Sequence, residues 1–133
     1  MISFDTETSQ DNEHRLVYID LCIFYNGESY TVFDKKDFTD QISMKSSIID
    51  YIYNCDDNLF VAHNLEYDLN SIFYPYGLKN LEMIYNNNLI YTRLNGTRKK
   101  FIDSFNFSFC SLEKIGKQIG VEKIKVEGEI YNV

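Results

Sequence analysis

The chain has 133 residues, 44% hydrophobic and 25% charged, which is enough for one domain with its own core and excludes a multidomain enzyme. One proline, six glycines and no low-complexity run argue against disorder, and no apolar stretch is long enough to cross a bilayer. The net charge of −7 is uneven, −10 over residues 1–92 and +3 over 93–133. That split suits carboxylates that hold cations beside lysines that hold phosphates, and equally two ordinary solvated surfaces.

Met1 to Asp5 predicts a short strand, and Leu16 to Tyr25 a second, dense in β-branched and aromatic residues. The acids Asp5, Glu7, Asp11 and Glu13 are unlike a signal peptide or an Arg-rich presequence, so secretion and import are not expected. Cys22, Cys55 and Cys110 stand singly, without zinc spacing, as reduced thiols of an intracellular protein would. Asn26-Gly27 predicts a tight turn with both residues at positive φ, leading into a third antiparallel strand over Glu28 to Asp34.

Apolar residues at Phe38, Ile42, Ile48, Ile49, Ile52 and Tyr53 approximate one helical face. Leu59 to Ala62 reads as a strand covered on both sides. A helix capped by Asn64 follows, with Leu65, Leu69, Ile72 and Phe73 inward, stopped by Pro75 and Gly77. Leu81 to Tyr85 and Leu89 to Leu94 flank an asparagine turn, and Asn95-Gly96 marks a hairpin into Lys99 to Asp103. Ser111 opens a last helix that ends at Gly120. The order predicts an α/β domain with a mixed sheet.

In Phe4-Asp5-Thr6-Glu7-Thr8 the strand period of two sends Asp5 and Glu7 to the same side. Adjacent carboxylates repel unless a cation joins them, and hard oxygen ligands suit Mg2+ or Mn2+. They are also compatible with ordinary acids after an edge strand. Directly after the buried strand comes His63-Asn64-Leu65-Glu66-Tyr67-Asp68. A helix starting at Asn64 puts Asn64 and Asp68 on one face, aimed at Asp5 and Glu7, so that the oxygens of Asp5, Glu7 and Asp68 converge on a shared cation. A plain N-cap at Asn64, a dipole-facing Glu66 and a packed Tyr67 would fit the same residues. Arg98, Lys99 and Lys100 suit either phosphate tracking or an ordinary charged hairpin tip.

Together the two segments resemble the first two exonuclease motifs of family B DNA polymerases, within the DEDD 3′–5′ exonuclease superfamily, and most of all its protein-primed branch of phages, adenoviruses and linear plasmids. Phe101-Ile102-Asp103-Ser104-Phe105 and Ser111-Leu112-Glu113-Lys114-Ile115 are similar to that branch's segment between the second and third motifs.

The resemblance implies a ribonuclease-H-like exonuclease fold, with Asp5, Glu7 and Asp68 as catalytic metal-binding carboxylates. It implies contacts from His63, Asn64 and Tyr67 to a single-stranded primer end, with Ser104, Phe105 and Lys125 as further DNA-binding positions. Phe105 departs from the Ser/Thr-Leu pair of the branch, and the residues after Lys125 match it poorly. The implied chemistry is two-metal phosphodiester hydrolysis with Mg2+ or Mn2+, one cation activating water and the other stabilising the leaving 3′ oxygen. The implied setting is intracellular, of viral, cytoplasmic or mitochondrially encoded origin, with a polymerase portion or a terminal protein as partner and no membrane.

The superfamily's third motif, Tyr-x-x-x-Asp or His-x-x-x-x-Asp, does not occur in Val126 to Val133, and no polymerase palm or fingers accompany the domain. The expectation is therefore a partial exonuclease domain over residues 1–133, incomplete at the C-terminus and weak or inactive in isolation. A non-catalytic single-strand-binding or interaction module of the same ancestry, and an unrelated acidic α/β protein, are the alternatives.

Overall fold

The computed structural model describes residues 1–11, 16–75, 77–86 and 88–104. The helix expected from Ser111, and with it Phe105 and Lys125, lie outside the described residues. Nine elements suffice to place the site: β1 (Ile2–Asp11), β2 (Leu16–Tyr25), β3 (Tyr30–Asp34), α1 (Gln41–Asn54), β4 (Leu59–Ala62), α2 (Leu65–Phe73), β5 (Leu81–Asn86), β6 (Asn88–Leu94) and β7 (Lys100–Asp103). The strands form one mixed sheet of seven in the order β3-β2-β1-β4-β7-β6-β5. β1, β4 and β7 run parallel at its centre and the remaining pairs are antiparallel. This is the mixed α/β architecture that the element order predicts, consistent with a ribonuclease-H-like exonuclease fold.

The short central strands are the most apolar because both of their faces are covered: Phe60, Val61 and Ala62 in β4 and Phe101 and Ile102 in β7 are all buried. On the helix-covered face, Phe4 stacks on Phe24 at 5.5 Å and Phe60 on Phe101 at 5.0 Å. Met44, Ile48 and Ile52 of α1 and Leu65, Leu69 and Ile72 of α2 close over these rings. Spacings of three and four residues bring each set to one side of its helix.

α1 is shorter than the sequence pattern suggests. Phe38 precedes it, and Asp40 caps it by accepting from the Ser43 amide at 2.8 Å. Ile42 and Tyr53 are exposed, whereas Met44, outside the expected face, is buried. α2 buries the four apolar residues expected of it and ends at Phe73, before the cis Tyr74-Pro75 bond. Among the described residues no helix is long and apolar enough to cross a membrane.

The first hairpin also differs from expectation. Tyr25 pairs with Tyr30, leaving a four-residue loop in which Gly27 has φ 101° and Asn26 does not have positive φ. The Asn26 carboxamide instead accepts from the amides of Glu28 and Ser29, both at 2.9 Å, and closes a wider turn.

A bulge in β2 bears on the site. Glu7 lies opposite Leu21 and Thr8 opposite Ile19, so Asp20 has no partner across from it. The extra residue lets Ile19 and Cys22, three apart, both enter the core. Beyond the end of the β3 pairing, the Gln41 carboxamide accepts from Ile19 N at 2.7 Å and donates to Ile19 O at 2.8 Å, taking the place of a strand.

Candidate active site

β1 presents two chemically different faces. Ile2, Phe4 and Thr6 are buried under the helices, whereas Asp5 and Glu7 are exposed, as alternation requires. The sequence expectation that Asp5 and Glu7 share a side therefore holds, and the two threonines of the segment share the other. Thr6 Oγ1 donates to Asp68 Oδ1 at 2.6 Å, and the Thr8 hydroxyl bonds the Tyr67 hydroxyl. These two contacts fasten the first turn of α2 onto the middle of β1.

The β4–α2 junction is built differently from a plain N-cap. Asn64 adopts a left-handed backbone, φ 64° and ψ 56°, and its side chain makes no capping bond. Asn is one of the few residues with a side chain that tolerates this region. The helix amides are satisfied from β7 instead: Asp103 Oδ1 accepts from Asn64 N at 3.2 Å and Oδ2 from Leu65 N at 3.0 Å. Parallel pairing of β4 with β7 sets Ala62 against Asp103 and so makes this reach short. One residue on, Ser104 Oγ lies 3.2 Å from His63 Nδ1 and 3.4 Å from the Ala62 carbonyl. His63, Asn64, Tyr67 and Ser104 are thus gathered around one strand-to-helix junction, with His63, Asn64 and Tyr67 exposed beside a buried Asp68.

The Asp68 carboxyl is pushed up to about 7, chiefly by burial, with the charges of Asp5 and Asp103 adding to the rise and the Thr6 hydrogen bond opposing it. Its Oδ2 is buried without a hydrogen-bond partner. Burial, with the charges of Asp68 and Asp5, also pushes up the thiol of Cys22, which faces Thr6 across the β1–β2 ladder.

The expected three-carboxylate cage is not formed. Asp68 meets β1 through Thr6, on the face opposite Asp5 and Glu7, and no three His, Cys, Asp or Glu side chains among the described residues stand close enough to hold a metal ion. Period-two alternation is the physical reason, since the Thr6 side chain that Asp68 meets lies on the face opposite those of its two acidic neighbours. The donor chemistry nevertheless fits a hard cation. An orphaned carboxylate oxygen lies within electrostatic reach of Asp5, and Mg2+ is commonly held by one or two carboxylates with water and substrate phosphate completing its octahedron.

Sequence reasoning singled out neither Thr6, Thr8 nor Asp103. The threonines were legible in principle as the alternate face of the same strand. Asp103 depends on a parallel pairing that no local pattern encodes.

The basic hairpin tip divides in two. Arg98 and Lys100 are exposed, but Lys99 is 5% exposed, with Nζ donating to the carbonyls of Cys55 and Asp57 at 2.7 Å each and lying over the Phe60 ring. It caps the segment that follows α1, so its ammonium is engaged inside the fold and not displayed at the hairpin tip.

A mixed sheet with two helices on one face, and exposed acids along its first strand, gives the chain a mixed α/β fold consistent with the ribonuclease-H-like exonuclease type. Among solved structures it is similar to Phi29 DNA polymerase complexed with primer-template DNA, with a TM-score of 0.50 and 13% identity over 96% of this chain. The match spans 24% of that polymerase's length. No family model matches the chain, and no curated protein matches it.

Proposed function

We propose that this chain is a 3′–5′ exonuclease domain of the protein-primed family B polymerase type, acting on the unpaired 3′ end of a DNA strand. The observation that carries this reading is the contact of Asp68 with Thr6, which brings together two acidic motifs 62 residues apart at one end of the central strands. The shared fold with a polymerase supports it.

Asp5, Glu7 and Asp68 would hold Mg2+ or Mn2+. When bound, such cations supply the Lewis acidity that phosphodiester hydrolysis requires. Thr6 orients the Asp68 carboxylate. The exposed ring of Tyr67 offers a stacking surface that reads no sequence, which suits removal of any mismatched base. His63, Asn64 and Ser104 provide polar groups to the sugar-phosphate beside it, and Phe105 and Lys125 are assigned to the same strand by resemblance.

The test is Mn2+ titration of the purified chain, followed by water-proton relaxation, together with digestion of 5′-labelled single-stranded DNA. We expect weak Mn2+ binding that is lost in Asp68→Ala and reduced in Asp5→Ala, and slow shortening from the 3′ end that requires Mn2+. Absence of Mn2+ binding in the intact chain overturns the reading.

One observation favours a second reading, a non-catalytic single-strand-binding module: no three acidic side chains converge among the described residues. It predicts DNA affinity unchanged by chelation and by Asp5→Ala.

A further inference from the structure

Asp103 is almost fully buried at the end of β7, yet it points at another element. A helix leaves its first amides without internal partners, and the residue at the N-cap position ordinarily supplies an oxygen. Asn64 occupies that position without doing so, because its left-handed backbone directs the side chain elsewhere. Asp103 replaces it with a fork, one oxygen to each of two consecutive amides, at 3.2 and 3.0 Å. A single cap satisfies one donor and leaves the helix free to swivel, whereas two bonds from one rigid carboxylate also fix the direction in which the first turn leaves the sheet. The negative charge lies at the positive end of the helix dipole. One turn on, Asp68 N bonds Asn64 O at 3.4 Å, so the turn held by Asp103 is the turn that carries Tyr67 and Asp68. Thr6 holds the same turn from β1.

We propose that Asp103 is a positioning residue of the candidate site: its forked contact with the Asn64 and Leu65 amides sets where the first turn of α2 places Asp68 and Tyr67. The assignment rests on the nuclease reading for its consequence, and on the fork alone for its mechanism.

The full chain is compared with Asp103→Ala and Asp103→Asn by amide hydrogen exchange and by Mn2+ titration. In Asp103→Ala we expect the Asn64 and Leu65 amides to exchange about tenfold faster while those of Phe60 and Phe101 keep their rates, and Mn2+ affinity to fall by about tenfold, the usual loss for an outer-shell partner. Asp103→Asn keeps one acceptor and falls between. Uniform acceleration at all four amides, the mark of a general loss of stability, overturns the proposal. So does Mn2+ affinity unchanged in Asp103→Ala. If the intact chain takes up no Mn2+, the nuclease reading fails separately, and the exchange rates alone decide whether Asp103 governs the turn.

Discussion

The hydroxyl of Thr6 is bonded to the carboxyl of Asp68 at 2.6 Å, across 62 residues of chain and inside the protein. The bond joins the strand that carries Asp5 and Glu7 to the helix that carries Asp68. It lowers the cost of keeping a carboxyl where water does not reach it, because a buried polar group without a partner is far more costly than a paired one.

Thr6→Val isolates that contribution, since valine keeps the β-branched shape and loses only the hydroxyl. The substitution should destabilise the fold by about 1–3 kcal/mol, as it leaves a buried carboxyl with neither oxygen paired by the strand. Urea unfolding of the two proteins measures the difference. An unchanged midpoint would mean that Asp68 finds another partner.

Asp68 should also make stability depend on pH in the direction opposite to most carboxylates. Its carboxyl lies at about 7 in the fold against 3.8 ordinarily, so the folded state binds the proton more tightly than the unfolded one. Its stabilising effect is complete below pH about 4, declines as pH rises and is gone above about 7, a span of up to about 4 kcal/mol. Urea midpoints should therefore fall from pH 5 to pH 8 by more in the native chain than in Asp68→Asn, whose amide does not titrate. Saturating Mn2+ should flatten the native profile, because a bound cation favours the ionised carboxyl.

Lys99 gives a sharp contrast with its neighbour. Lys99→Met should cost about 1–2 kcal/mol by removing the ammonium shared by the carbonyls of Cys55 and Asp57, whereas Lys100→Gln, at an exposed position, should stay within about 0.5 kcal/mol. If Lys99 tracked phosphates, its loss would instead weaken DNA binding at unchanged stability.

Much of the frame was legible because it rests on local periodicity. The alternation Phe4, Thr6 against Asp5, Glu7 and the run Leu65, Leu69, Ile72, Phe73 each identify a buried face without reference to the rest of the chain. What escaped sequence reasoning depends on partners remote in the chain. The Asp20 bulge shows only as a polar residue inside Leu16 to Tyr25, and its effect, the shared burial of Ile19 and Cys22, needs the register with β1. The same holds for Asn64, whose residue type suited a cap. The cap came from Asp103, brought close by the β4–β7 ladder, and this freed Asn64 to take a left-handed turn. Sequence reasoning aimed Asp68 at Asp5 and Glu7, but period two, applied to Thr6 as well as to those acids, would have put the helix contact on the opposite face.

Tyr67 separates a stacking role from a polar one. The residue is 45% exposed while its hydroxyl is engaged by Thr8, which leaves the ring as the part to offer a base. Stacking of one base on an aromatic ring contributes about 1–3 kcal/mol. Tyr67→Phe keeps the ring and should hold affinity for an oligothymidine close to that of the native chain, with a small loss of stability from the Thr8 bond. Tyr67→Ala should weaken binding by about tenfold or more in fluorescence anisotropy. Equal losses in both variants would assign the effect to the hydroxyl and to the fastening of α2 on β1, and would remove Tyr67 from the surface that meets the strand.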